Sequence, residues 1–157
     1  MPIAVHMAPD IHILYTMVYG PCLLSELFQV ARAPEHDPDN RPRMKLIIDC
    51  RRWDLDIDTE GVQSGLSFIR DLEKTGFEME PTAILTGNDL VAMFFDGFGF
   101  ALNDTTEIRK VFSSLEEAIA WLGVSQHAQA ICKIQNDLLA QLRAETFSFY
   151  QAGAPGR

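Results

Sequence analysis

The sequence predicts an α/β fold in which helices cover both faces of a largely parallel sheet of four or five strands, with a helical extension at the C-terminus. Short apolar strands alternate with helical periodicity between residues 11 and 123, and successive parallel strands need helical crossovers of this kind. The segment 44–50, MKLIIDC, is apolar without alternation, as in strands buried on both faces. We therefore expect one domain over 1–124, a helical extension over 125–150 and a disordered tail over 151–157.

The first half of the chain is expected to form two strands, each followed by a helix. Residues 11–20, IHILYTMVYG, are rich in β-branched and aromatic side chains, which is typical of a strand, and apolar residues recur at helical spacing in 22–33. The strand at 44–50 precedes a helix over 60–75. The apolar side chains of this helix form one stripe, which consists of Val62, Leu66, Ile69 and Leu72.

The second half of the chain repeats this alternation. A helix over 90–102 has Asn88 or Asp89 as its candidate cap. Another helix over 115–123 follows two overlapping capping boxes. Each helix is preceded by an expected strand, over 82–87 and over 106–112.

The C-terminal extension is expected to dock on an apolar surface, either within the chain or across a symmetric dimer. Its apolar seam covers only a few turns, which does not hold a helix in water without a partner surface. The apolar helix over 90–102 is the expected acceptor. The seam consists of Ile131, Ile134, Leu138 and Leu142.

Composition excludes several classes of partner. The chain has 22 acidic and 13 basic side chains, and its formal net charge is −9. Such a charge repels phosphate backbones, so we expect neither nucleic acid nor an anionic membrane surface as a partner. Three scattered cysteines fit reduced thiols, and the sequence has neither a signal-peptide pattern nor eighteen consecutive apolar residues. These features predict a cytoplasmic protein without a membrane span.

Three stretches carry a resemblance to a known family. They are YTMVYGPCLLSELFQVARAPEHDP leading into RPRMKLIIDCR, then TAILTGNDLVAMFFDGF, and then EIRKVFSSLEEAIAWLG. In this order they resemble the STAS-like family, the SpoIIAA-like relatives of bacterial anti-sigma-factor antagonists, over residues 10–123. The resemblance implies a small β/α sandwich that serves protein interaction or ligand sensing, without catalysis.

The same resemblance draws attention to one loop. Antagonists of this kind carry a D-S-S-G turn with a phosphorylated serine after the central strand, and the corresponding residues here are Asp58, Thr59, Glu60 and Gly61. Glu60 then stands at the phosphoserine position as a permanent negative charge at a helix N-terminus, and we expect no kinase switch. The residues alone favour a simpler interpretation, in which Asp58 or Thr59 caps a helix.

A second candidate site combines two strand ends. Arg51 and Arg52 leave one expected strand, while Thr86 and Asn88 follow another. Ligands bind beyond the carboxyl ends of parallel strands, and two guanidinium groups there suit a carboxylate or a phosphate. The alternative is that the arginines neutralise neighbouring acids, namely Asp49, Asp54 and Asp56.

The helix over 90–102 has more apolar side chains than one sheet face buries. We expect them to be covered by a second copy of the chain, by an apolar ligand or by the C-terminal helix, and we favour protein contact because burial of one phenyl ring contributes about 1.5–3 kcal/mol. The expected apolar interaction surface consists of Met93, Phe94, Phe95, Phe98 and Phe100.

No pattern predicts a metal, a cofactor or a catalytic group. The run from Asp54 begins like a calcium loop, but its sixth and twelfth positions are Thr59 and Gly65 instead of glycine and glutamate. The four histidines form no metal-binding spacing. Cys50 as a nucleophile, or Asp49 as a base, needs a partner group that the sequence does not show.

The sequence therefore predicts a non-enzymatic, cytoplasmic regulatory module that forms a homodimer and binds a further regulatory protein. The alternative is a carrier or sensor of a small apolar ligand with an acidic head group. In that case the phenylalanines of 90–102 line the pocket, and Arg51 and Arg52 lie at its mouth.

Overall fold

A computed structural model describes residues 2–31, 43–75, 80–101 and 108–153. Strands and helices alternate in it from β2 onward, as the sequence predicts. In chain order the elements are β1 (Ile3–Ala8), β2 (Ile13–Leu23), α1 (Leu24–Ala31), β3 (Lys45–Asp56), α2 (Thr59–Thr75), β4 (Thr82–Leu85), α3 (Asp89–Ala101), β5 (Arg109–Phe112), α4 (Leu115–Leu122), a short 3-10 turn (Ser125–His127) and α5 (Ala128–Gly153). None of the described helices is both long and apolar enough to cross a membrane.

The described strands form one sheet in the order β1-β2-β3-β4-β5. Strands β2 to β5 pair in parallel and β1 pairs antiparallel with β2, so the predicted largely parallel sheet is confirmed. The sequence did not predict β1, in which His6 is exposed and the other side chains are buried or half-buried. A six-residue strand followed by a turn at Pro9 gives a weak signal beside the long apolar run of β2.

Strand β3 is longer than predicted, because it continues past residue 50 as far as Asp56. Its pairing with β2 shifts by one residue between Met17 and Tyr19, where β3 carries the extra residue of a β-bulge. Arg51 and Arg52 therefore lie within the strand and do not leave it. The second half of β3 alternates between buried or half-buried side chains and exposed acids, which is the pattern of a strand with one face in water.

Two hydrophobic clusters cover the two faces of the sheet. One joins α4 and α5 to Tyr15, Met17 and Ile47. The other joins α1 and α3 to Val18 and Trp53. The sheet is thus a buried layer between two helical layers, as in a β/α sandwich.

Helix α4 has the ends that the sequence predicts. The side chain of Ser114 accepts a hydrogen bond from the backbone N–H of Glu117 at 3.2 Å, and Gly123 ends the helix in the left-handed conformation with φ of 71°. Lys45 Nζ also donates to the carbonyl of Leu122 at 2.6 Å. This contact places a positive charge at the negative end of α4 and ties the helix to the start of β3.

The expected docking of the C-terminal helix on α3 is wrong. Helix α5 packs on the other side of the sheet, against β1 and β2, where its seam joins the cluster that contains Ala4, Ile13 and Tyr15. The physical reason is that α1 and α3 already cover the opposite face, while only α4 shares this one. Helix α5 also continues to Gly153, three residues past the predicted end at 150, and residues 154–157 lie outside the described part of the chain.

Substitution within the α5 seam tests this packing. Leu138 is 4% exposed, whereas Ala140 on the same helix is exposed. Leu138→Asp buries an unpaired charge in the α4–α5 cluster and is expected to lower the free energy of unfolding by at least about 3 kcal/mol. Ala140→Asp is expected to change it by less than about 0.5 kcal/mol. Urea unfolding followed by circular dichroism measures both, and equal midpoints for the two variants would contradict the packing of α5 described above.

Candidate functional site

One carboxylate lies between the N-termini of α1 and α2. Asp58 immediately precedes α2, and its Oδ1 accepts a hydrogen bond from the backbone N–H of Ser25 at 3.2 Å. The backbone N–H of Gly61, in the first turn of α2, also donates a hydrogen bond to this carboxylate. Loss of solvent acts to raise the pKa of Asp58, but the hydrogen bonds from Ser25 and from the α2 backbone outweigh it, so the pKa is lowered.

Helix α1 needs this carboxylate because its own cap position is apolar. The residue before α1 is Leu23, which has no side-chain acceptor for the free N–H groups of the first turn. Glu26 Oε2 accepts from the backbone N–H of Leu23 at 2.7 Å, which forms one half of a capping box. Asp58, which lies 33 residues after Ser25 in the chain, supplies the other acceptor by accepting from the backbone N–H of Ser25.

Two glycines allow α2 to approach α1 closely. A Cβ atom at Gly61 would lie 2.5 Å from Asp58 Oδ1 and 2.7 Å from the backbone nitrogen of Ser25. At Gly65, one turn later, a Cβ atom would lie 2.9 Å from the ring of Phe28. The side of α2 that packs on α1 is therefore the glycine side, and no larger residue fits there without movement of a neighbour.

The first two residues of the apolar stripe of α2 consequently face solvent. Val62 and Leu66 are 47% and 50% exposed, while Gly61 and Gly65 are buried. The side chains of the other two stripe residues, Ile69 and Leu72, lie outside the described part of the structure. The signal in the sequence that identifies the packed side is the spacing of the two glycines by four residues, which places them on one side of a helix.

Helix α3 has a second exposed apolar stretch. Asn88 Oδ1 accepts from the backbone N–H of Leu90 at 2.8 Å, so Asn88 is the cap. Leu90 and Met93 are 53% and 67% exposed, while Val91 faces the core. Of the predicted apolar surface, Met93 is exposed, Phe94 is half-buried and Phe95 belongs to the core; the side chains of Phe98 and Phe100 lie outside the described part.

Helices α1, α2 and α3 form one layer. The ring of Phe28 in α1 lies 5.8 Å from that of Phe68 in α2 and 6.5 Å from that of Phe94 in α3, between ring centroids. These contacts hold the three helices together over the sheet. We call the exposed apolar side chains of this layer the α2–α3 face; they are Val62, Leu66, Leu90 and Met93.

The predicted anion site is occupied by internal contacts. Arg51 Nε and Nη2 donate to the two carboxylate oxygens of Asp49 at 2.9 and 2.8 Å, and Asp49 is 1% exposed. The hydroxyl of Tyr15 donates to the same carboxylate at 2.8 Å. Burial and the charge of Asp49 raise the pKa of Tyr15, so this hydroxyl stays protonated. The guanidinium expected to hold an acidic head group therefore neutralises a buried aspartate.

Of the other members of that site, Thr86 and Asn88 have structural roles. Arg52 is a half-buried residue of β3 opposite Tyr19. Thr86 Oγ1 accepts from the backbone N–H of Asn88 at 3.0 Å, and the Asn88 side chain caps α3. Together these contacts shape the connection from β4 to α3.

Within the described part of the chain, potential metal ligands are not grouped, and two of the three cysteines are buried. No group of three or more potential metal ligands occurs among residues 2–31, 43–75, 80–101 and 108–153. Burial raises the pKa of Cys50, and burial together with Glu26 raises the pKa of Cys22 to about 12. Both thiols are therefore protonated and unreactive near neutral pH.

Solved structures show the same fold. An uncharacterized protein of the DUF3478 family with a SpoIIAA-like fold, from Shewanella loihica PV-4, has a TM-score of 0.52 and 17% identity over 76% of this chain and 91% of that chain. The anti-sigma factor antagonist SpoIIAA in its unphosphorylated form has a TM-score of 0.48 and 16% identity over 85% of this chain and 97% of that chain. The sequence matches no protein-family model and no curated protein. The chain thus has the SpoIIAA-like fold that the sequence resemblance implied.

Alanine at three glycines tests the close contact of α1 and α2. Alanine favours a helix over glycine by about 1 kcal/mol, and Gly97 on α3 has no atom within 4 Å of its Cβ position, so Gly97→Ala is expected to stabilise the fold. Gly61→Ala is expected to destabilise it by about 1–3 kcal/mol, because backbone atoms block the new methyl group. Gly65→Ala should have a smaller effect, because the Phe28 ring moves more easily than backbone. Stabilisation by Gly61→Ala in urea unfolding would contradict the contact.

Proposed function

We infer that this chain is a non-enzymatic regulatory module with the SpoIIAA-like fold that binds a partner protein through the α2–α3 face. The observation that carries the proposal is the exposure of that face. Leu66 and Met93, on two helices of one layer, are 50% and 67% exposed in the isolated chain. Exposed apolar side chains grouped on one surface are typical of protein–protein contacts.

The energetics of this face favour a partner. Full burial of one valine, leucine or methionine side chain contributes about 1.5–3 kcal/mol, and each member of the face retains about half of its exposed area or more. The outward stripe of α2 also arises from a packing arrangement that is specified by Asp58 and two glycines. Helix–groove docking uses apolar anchors one turn apart, which is the spacing of Val62 and Leu66 and of Leu90 and Met93.

The polar groups of the sheet support a role without catalysis. Asp49, the buried carboxylate at the centre of β3, is held by Arg51 and Tyr15. Cys50 beside it has a raised pKa because it is buried. A general base or a nucleophile needs access to substrate and a suitable pKa, and neither group has both. The buried free thiols also fit a reducing compartment, so we place the module in the cytoplasm.

The loop of Asp58, Thr59, Glu60 and Gly61 fits a permanent negative charge better than reversible phosphorylation. Thr59 and Glu60 are exposed in the first turn of α2, where the helix dipole favours negative charge. Glu60 supplies that charge without phosphorylation, in the position that the sequence resemblance gives to a phosphoserine. The proposed module is therefore not toggled at this loop, and stoichiometric phosphate on Thr59 in protein isolated from its native cell would contradict that part of the proposal.

Site-specific photo-crosslinking in the native cell tests the proposed function. A photoreactive residue is placed at position 66 or 93 of the full chain, and at the exposed position 140 of α5 as a control. We expect positions 66 and 93 to give the same discrete crosslinked protein and position 140 to give none, because only the first two lie on the α2–α3 face. Crosslinks that are absent, or that are the same from all three positions, would contradict the proposal.

A further inference from the structure

The negative charge of the protein is concentrated in one segment. Residues 54–101, which include α2, β4 and α3, contain ten acidic and two basic side chains, a net charge of −8. The whole chain has a net charge of −9, so the remaining residues are nearly neutral. The segment that carries the α2–α3 face therefore also carries most of the net negative charge of the chain.

Exposed acidic side chains lie on both sides of Met93 along α3. Asp89 and Asp96 lie four residues before and three residues after Met93, so all three share one side of α3. Arg70 and Lys74, the two bases of the segment, lie in the second half of α2. The exposed acids in the described part of the segment are Asp54, Asp56, Glu60, Asp71, Asp89 and Asp96.

This negative charge disfavours the binding of a second copy of the chain to the α2–α3 face. A two-fold symmetric dimer places the same surface patch of both subunits in contact. Asp89 and Asp96, which share one side of α3 with Met93, would then approach their counterparts in the other copy, and like charges across an interface are unfavourable. The expected homodimer is thus disfavoured through this face. The same charge attracts a basic surface and raises its rate of association.

We propose that the α2–α3 face docks a protein partner whose apolar anchors are surrounded by lysine and arginine, and that it does not dock a second copy of this chain. This inference rests on the proposed function, to which it adds the chemistry of the partner. Burial of apolar side chains at the centre of this interface supplies affinity, while the acidic side chains beside them favour a basic partner.

Binding of two designed peptides to the full chain tests the proposal. Both are amphipathic helices of equal length with the same leucine and phenylalanine side; one carries lysine and arginine elsewhere, and the other carries glutamate. Fluorescence anisotropy at low ionic strength and at about 0.15 M salt measures their affinities. We expect the basic peptide to bind at least about tenfold more tightly, with an advantage that shrinks as salt increases.

Variants locate that binding on the face. Met93→Ser is expected to weaken the basic peptide about fivefold or more, because it removes an apolar anchor. Asp89→Asn with Asp96→Asn should weaken it and flatten the salt dependence, whereas the matched exposed pair Glu116→Gln with Glu117→Gln on α4 should do neither. Equal affinity for both peptides, or equal effects of the two carboxylate pairs, would overturn the proposal. A dimer in sedimentation velocity that Met93→Ser dissociates would also overturn it.

The two proposals fail in different ways. If positions 66 and 93 crosslink to a partner whose contacting surface is acidic or uncharged, the proposed function stands and the inference about charge is overturned. If the crosslinks from position 140 match those from positions 66 and 93, the proposed function fails whatever the peptides show.

Discussion

The carboxylate of Asp58 accepts hydrogen bonds from the N-termini of both α1 and α2, and the position of α2 follows from this contact. Leu23 leaves the first turn of α1 without a side-chain cap. Asp58, between β3 and α2, accepts a hydrogen bond from the backbone N–H of Ser25 in that turn instead. That arrangement brings the first turn of α2 against α1 so closely that position 61 has no room for a Cβ atom. Because glycines form the packed side of α2, the side chains of Val62 and Leu66 are turned outward. The surface proposed to bind a partner is thus a consequence of how two helix ends share one acid.

The helical layers on the two faces of the sheet differ in their packing and in the side chains that they leave exposed. On one side α4 and α5 close a cluster that includes Tyr15, Ile47 and Leu138, and the charges outside residues 54–101 nearly cancel. On the other side the helical layer is held by aromatic contacts through Phe28 and leaves apolar side chains in water among acids. The proposed recognition surface lies on this second layer, where Val62, Leu66, Leu90 and Met93 are exposed.

Local signals in the sequence were sufficient for much of the fold. The capping serine and terminal glycine of α4, the Asn88 cap of α3 and the buried run of β3 each depend on neighbouring residues, and each is present as predicted. The sequence was less informative where contacts between distant residues determine the orientation of a side chain. Whether Val62 faces the core depends on an acid and a helix from another part of the chain, and periodicity cannot distinguish an apolar stripe that faces a core from one that faces solvent. Arg51 is a different case, because its pairing with Asp49, two residues away in a bulged strand, agrees with the alternative that the sequence offered, in which the arginines neutralise neighbouring acids.

The central claim is that α2 packs through its glycines and turns Leu66 to solvent, and thiol labelling of the Leu66→Cys variant tests it most directly. The chain supplies its own standards, because Cys132 is exposed while Cys22 and Cys50 are buried. Each cysteine is followed separately by mass spectrometry of peptides after brief exposure of the folded protein to an alkylating reagent. The account predicts that position 66 reacts at a rate similar to that of Cys132 and much faster than Cys22 and Cys50. Protection of position 66 at the level of Cys50 would show that the stripe faces the core and would contradict the account.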